Sequence, residues 1–207
     1  MERMLVVTTP AQSRALVTID ELKADLGPLA ATLSDDEFTA LAESASATIS
    51  AACNVVLVAE TVVESFWLDQ PRDRLFLERT PIAAGATVSI GGELLATEGF
   101  VVDPNVGALR KVSATGLEPW PCGMIVVTYT GGFAENAIPP ALKTACLSVA
   151  RRMNAGRSRD PFLKSEEIPG VLNRTFWVGA VGSGAASALN PDEALLLSGF
   201  IRRRIGA

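Results

Sequence analysis

The spacing of apolar residues changes period twice along the chain, and that change limits the fold more than any other feature. Between residues 34 and 53, Phe38, Leu41, Ala42, Ala45, Ile49 and Ala52 recur at three- and four-residue steps, the stripe of an amphipathic helix. From residue 55 to residue 129 the step falls to two, in short β-rich runs: "TVVESFWL", "RLFLER", "ATVSIGG", "GFVVD", "ALRKV" and "MIVVTYT". Leu142, Ala145, Cys146, Val149 and Met153 then restore the helical step. A helix-period pattern does not sit as a strand, nor the reverse. The expected fold class is therefore α+β: a small helical bundle with an inserted antiparallel β-region.

Local signals set the boundaries. Thr18 with Glu21, Ser34 with Glu37 and Asn190 with Glu193 have capping-box spacing, and Pro191 suits a first helical position. The first of these helices stops at Gly27-Pro28. Gly91-Gly92 reads as a hairpin turn and "DPNVG" as a loop, while Pro71, Pro81, Pro119 and Pro121 fall between runs. Gly131 and Gly132, followed by Pro139 and Pro140, read as a structural joint between the last strand and a core helix.

On these signals residues 1–15 are an N-terminal arm, residues 16–157 a core carrying the β-region at 60–130, and residues 158–207 an extended tail. The tail reads as loop-like to residue 189, with a β-capable "RTFWVGAV", and ends in a short helix. Ser44, Ser46, Thr48 and Ser50 are expected to face water or another subunit. Trp67 is expected in the core, and Trp177, in a Gly-rich segment, as an interface anchor.

Much chemistry is excluded. The chain of 207 residues contains no histidine, so histidine-based triads and metal sites cannot form. Cys53, Cys122 and Cys146 are odd in number and widely spaced without CxxC, which argues against disulfide or zinc frameworks; they are expected to be buried or half-buried. Neither glycine pair matches a phosphate-loop pattern. Asp35, Asp36 and Glu37 are the densest acidic cluster and leave a carboxylate-metal enzyme open, although capping alone explains them. No cofactor is expected.

The longest apolar runs fall far short of the roughly 20 residues of a spanning helix, and the N-terminus lacks a secretory pattern, so the expected place is the cytoplasm or a particle assembled there. A net charge of −5 provides none of the basic excess that drives nucleic-acid affinity. Arg202, Arg203 and Arg204 nevertheless form a basic tip, which with Arg151 and Arg152 supplies a DNA-binding alternative. Beside that tip, Leu195, Leu196, Phe200 and Ile201 give the last helix an apolar side.

The order "VTIDELKADL", "SDDEFTALAESASATISAAC", a proline-bounded β-region ending "VVTYTGGF", then "IPPALKTACLSVARRM" resembles the head-tail connector, or adaptor, family of tailed bacteriophages over residues 16–157. The likeness is weaker in "EEIPG" and "NPDEALLLSGFIRR". It implies a non-enzymatic subunit of a phage or gene transfer agent neck. That subunit would assemble with other copies into a ring of about twelve under the portal. The ring would extend the DNA channel without sequence-specific binding and meet a tail-side stopper or tail-completion protein. It further implies that the C-terminal segment, with Trp177, Leu195, Leu196, Phe200, Ile201, Arg202, Arg203 and Arg204 as candidates, reaches the portal.

Overall fold

A computed structural model of the chain describes residues 1–30, 33–83, 85–157, 165–168, 172–175 and 189–202. The fold is α+β, and it divides into two compact units, Met1–Ser13 with Val56–Ala137, and Arg14–Val55 with Ile138–Ala207.

The first unit is all β. Its strands are β1 (Glu2–Thr9), β2 (Glu60–Leu68), β3 (Leu75–Phe76), β4 (Thr87–Ile90), β5 (Glu93–Leu94), β6 (Phe100–Val102), β7 (Ala108–Ser113), β8 (Gly116–Glu118) and β9 (Gly123–Gly131). One sheet runs β1-β2-β9-β4-β5; the other runs β3-β7-β6, with β8 also on β7. Every strand pairing is antiparallel. The six expected runs all appear, although "RLFLER" gives only the two residues of β3, and β1, β5 and β8 are additional.

Side-chain alternation places a single core between the sheets. Val62 and Phe66 of β2, Ile125 and Val127 of β9, and Val88 of β4 meet Leu75, Phe100 and Leu109 of the second sheet. Trp120 is 0% exposed at the centre and donates its indole N–H to the Leu109 carbonyl at 3.2 Å. Trp67, expected in the core, lies half-buried on the other face of β2. The adjacent pair Phe66-Trp67 explains the difference, since successive strand residues point to opposite faces and only one can turn inward.

The residues read as an arm supply the edge strand β1, which pairs with β2 from Glu2↔Trp67 to Val7↔Val62. Its inward positions are Arg3, Leu5 and Val7, the last two packed against the core. Arg3 Nε lies 2.9 Å from the Glu64 carboxylate, and the same guanidinium pairs with Glu78. Glu64 is fully buried and accepts from the Tyr129 hydroxyl at 2.7 Å and the Glu78 amide at 3.0 Å. Burial, reinforced by the Glu64 charge, raises the Tyr129 pKa far above its ordinary value and keeps the phenol a donor.

The second unit is a helical bundle of α1 (Ile19–Leu26), α2 (Asp35–Cys53), α3 (Pro140–Gly156) and α4 (Pro191–Leu197), with an antiparallel hairpin of β10 (Ser165–Ile168) and β11 (Leu172–Thr175). That hairpin replaces part of the loop expected between residues 158 and 189. All three capping boxes form at Thr18, Ser34 and Asn190. Helices α1 and α4 pack on α3, and α2 packs on both α1 and α3. Ser46, expected to face outward, is buried: its hydroxyl accepts from the Leu16 amide at 2.9 Å, donates to the Ala42 carbonyl at 2.7 Å and lies 3.4 Å from Cys146 Sγ. Satisfied within the bundle, a serine is small enough for close helix packing without a desolvation penalty. Burial pushes the Cys53 and Cys146 thiols up to about 11, leaving them protonated, whereas Cys122 is exposed in the turn before β9, against expectation.

The caps carry a pH signature. Glu21 is held below the usual carboxylate range by its hydrogen bond from Lys143 and then by the Thr18 amide, and Glu37 by the Ser34 amide and hydroxyl and then Arg157. A depressed folded pKa contributes stability above the ordinary carboxylate value and loses it as pH falls through the folded value. The first turns of α1 and α2 are therefore expected to fray on acidification below the ordinary glutamate pKa, seen as faster amide exchange there. Replacing Glu21 and Glu37 by Gln should flatten that pH dependence; an unchanged profile would show that other carboxylates carry it.

Candidate partner-binding surfaces

Two of the three residues of the acidic cluster are committed to structure. Glu37 closes the α2 capping box and lies 3.2 Å from Arg157, while Asp35 pairs with Lys23 at 2.6 Å. Among the described residues, no group of three or more His, Cys, Asp or Glu side chains could hold a metal ion. Among the same residues, no helix is long and apolar enough to cross a membrane. The cations proposed for DNA are also engaged: Arg151 pairs with Asp25, and Arg152 lies 3.0 Å from Glu193.

The C-terminal candidates separate into two groups. Trp177, Arg203 and Arg204 lie outside the described residues. Leu195 (74% exposed), Leu196 and Ile201 point outward, with Phe200 half-buried beside them, and the Arg202 amide donates to the Cys53 carbonyl at 2.9 Å. What anchors α4 was not legible as an apolar stripe: it is Leu197, fully buried, and the carboxylate of Glu193, only 1% exposed. That carboxylate accepts from Ser148 Oγ at 2.9 Å, from Arg152 at 3.0 Å and from the Asn190 amide at 2.9 Å. Glu193 therefore has two roles, the cap that its spacing from Asn190 announces and the tether of α4 to α3. Glu193→Ala is expected to release α4, raising its amide exchange by about 1–3 kcal/mol of lost protection. Glu193→Gln, which keeps an acceptor, should lose less, and equal exchange in both variants would rule out the tether.

At the expected joint, Gly131 and Gly132 occupy a crowded crossing. The Gly132 amide donates to the Pro81 carbonyl at 2.7 Å, and Phe133 exchanges bonds with Leu57 and Ala59, at 2.7 Å to the Leu57 carbonyl and 2.9 Å from the Ala59 amide. A Cβ on Gly131 would stand 2.5 Å from the Arg79 Cβ and carbonyl oxygen, and one on Gly132 would stand 2.5 Å from the Val58 carbonyl oxygen. The pair thus admits two further backbone segments against the end of β9. Pro139 and Pro140 lie on the other side of the unit boundary, as N-cap and first residue of α3, where a missing N–H costs nothing.

No family model and no curated protein matches the chain. Solved structures do. A chain in the neck of an empty gene transfer agent particle, computed with sixfold symmetry, superposes with a TM-score of 0.58 at 20% identity, over 76% of this chain and 86% of that one. A chain in the virion of a native gene transfer agent particle gives 0.56 at 22% identity, over 80% and 89%. A third, in the neck of a native particle computed with twelvefold symmetry, gives 0.54 at 17% identity, over 80% and 88%. At these identities the likeness establishes a shared fold: the chain folds as components of gene transfer agent particles do.

Proposed function

We propose that the chain is a structural subunit of the neck of a phage or gene transfer agent particle: a head-tail connector that forms a ring under the portal and takes no part in catalysis. The observation that carries this reading is a shared fold over about four fifths of the chain, with both units included, in chains from particle necks. Its partners are then other copies of itself, the portal above and a tail-side stopper or completion protein below.

In this reading the outward Leu195 and Leu196 of the tethered α4 and Ile201 after it, with Phe200, Arg202, Trp177, Arg203 and Arg204, form the portal-facing element. Gly131, Gly132, Pro139 and Pro140 form the structural joint along the chain between β9 and α3. The net charge of −5 suits a channel that DNA slides through, because each Lys or Arg phosphate contact adds affinity and would retard it. Imaging purified particles at subnanometre resolution, with this chain marked by a small fused tag, is expected to place it between head and tail; density elsewhere, or particles complete without the chain, would refute the proposal.

A further inference from the structure

The two sheets of the β unit each bury one face and leave one face outward, and the outward faces are unusual. Antiparallel sheets with one wet side normally turn charged and polar residues to water. On the five-stranded sheet the registers fix the outward positions in rows across the strands. Glu2, Trp67 and Met124 form one row, Met4, Ser65 and Val126 the next, and Val6, Val63 and Thr128 a third. Ser89 and Leu94 continue the second row across β4 and β5, and Leu94 is 73% exposed. Glu2 is the one charged side chain among the outward positions of these five strands.

The second sheet repeats the pattern with the opposite sign. Opposed pairs Phe76↔Ala108, Val101↔Arg110 and Leu117↔Val112 make up its outward face, with Leu117 63% exposed. Its inward charges, Lys111 and Glu118, pair with each other at 2.5 Å. Arg110 is the single charge facing out, and no ion pair or hydrogen bond of its side chain is present among the described residues; the same holds for Glu2.

From these faces we infer that the β unit docks on a second copy of this chain, the outward face of the five-stranded sheet of one copy against the outward face of the β7 sheet of the next, with Glu2 opposite Arg110. The two faces lie on opposite sides of one core, so the contact is heterologous and repeats from copy to copy. Such a contact propagates from copy to copy and makes a ring where its rotation closes, whereas an isologous one stops at a dimer. Each face presents large apolar side chains that stacked sheets, about 10 Å apart, would bury. The single opposite charges complete the match and fix direction, since like faces would bring Glu2 toward Glu2 or Arg110 toward Arg110. The inference rests on the ring reading above and names the surfaces that would make the ring.

Crosslinking tests it separately from the neck assignment. In a Cys122→Ser background, Met124→Cys is combined with Val101→Cys, and each is also made alone. A bismaleimide with a spacer of about 10 Å, matched to the separation of stacked sheets, is applied to the purified full-length chain and to intact particles. The double variant should give a ladder of multiples of the chain mass in at least one of these samples, and each single variant should stay uncrosslinked. Glu2→Arg or Arg110→Glu should reduce the ladder at least tenfold, and the two reversals together should restore it. No ladder in either sample, dimers from a single variant, or products of another protein's mass would overturn the inference even if imaging places the chain in the neck. Absence from the neck would overturn the neck assignment, whatever the ladder shows.

Discussion

Gly132→Ala is expected to cost more than about 4 kcal/mol, the range reserved for backbone clashes and strained φ/ψ, and so to remove a large part of the about 5–15 kcal/mol that holds a domain folded. Two effects add. Gly132 has φ +114°, a region that L side chains rarely adopt, and its added methyl would approach the Val58 carbonyl oxygen to 2.5 Å and the Ala59 nitrogen to 2.8 Å. Those atoms cannot retreat cheaply, because the Leu57 carbonyl and the Ala59 amide are both bonded to Phe133. Gly91→Ala is the matched comparison: it also has positive φ, at +60°, but nothing lies within 4 Å of its added carbon, so strain alone should cost about 1–2 kcal/mol. Urea unfolding followed through the buried Trp120 measures both. Similar midpoints for the two variants would show that the segments do not cross at Gly132 as described.

That crossing also marks where sequence reading stops. The glycine pair was visible as a turn after a strand, but its reason is the approach of residues 57–59 and 79–81, which lie more than forty residues earlier. Signals that act over three or four residues survived intact: three capping boxes, the helix stripes and six strand runs each appear where the spacing put them. Signals that depend on distant partners did not. Residues 1–9 lack a clear period because their inward row includes Arg3, and an arginine turned inward is intelligible only beside Glu64 of a strand some sixty residues away. Ser46 looked like a surface residue until Leu16 and Cys146 came against it, and Glu193 looked like a cap until Ser148 and Arg152 reached its other lone pairs. The outward faces of the sheets escaped for a related reason: alternation says which residues share a face, and only the register between strands shows that each face carries one charge.

The second large effect is expected from Arg3→Ala, at about 3–5 kcal/mol, the cost of leaving a buried carboxylate without its countercharge. Glu64 is 0% exposed and its two oxygens serve the Arg3 guanidinium, the Tyr129 hydroxyl and the Glu78 amide. Removing the cation strands the charge, whereas removing both charges need not. Glu64→Gln keeps an acceptor for Tyr129 and the Glu78 amide, so Arg3→Ala combined with Glu64→Gln should be less damaging than the sum of the single changes by about 2 kcal/mol or more, within the range of coupling for contacting residues. A double-mutant cycle by urea unfolding reads this directly, and additive effects would mean that Arg3 does not answer the Glu64 charge. The consequence reaches beyond stability. Arg3 is the inward residue between Glu2 and Met4, and both of these belong to the outward face inferred to meet the next copy. Arg3→Ala should therefore loosen β1, raise amide exchange across Glu2–Thr9, and weaken the crosslinked ladder even though it changes no residue on that face.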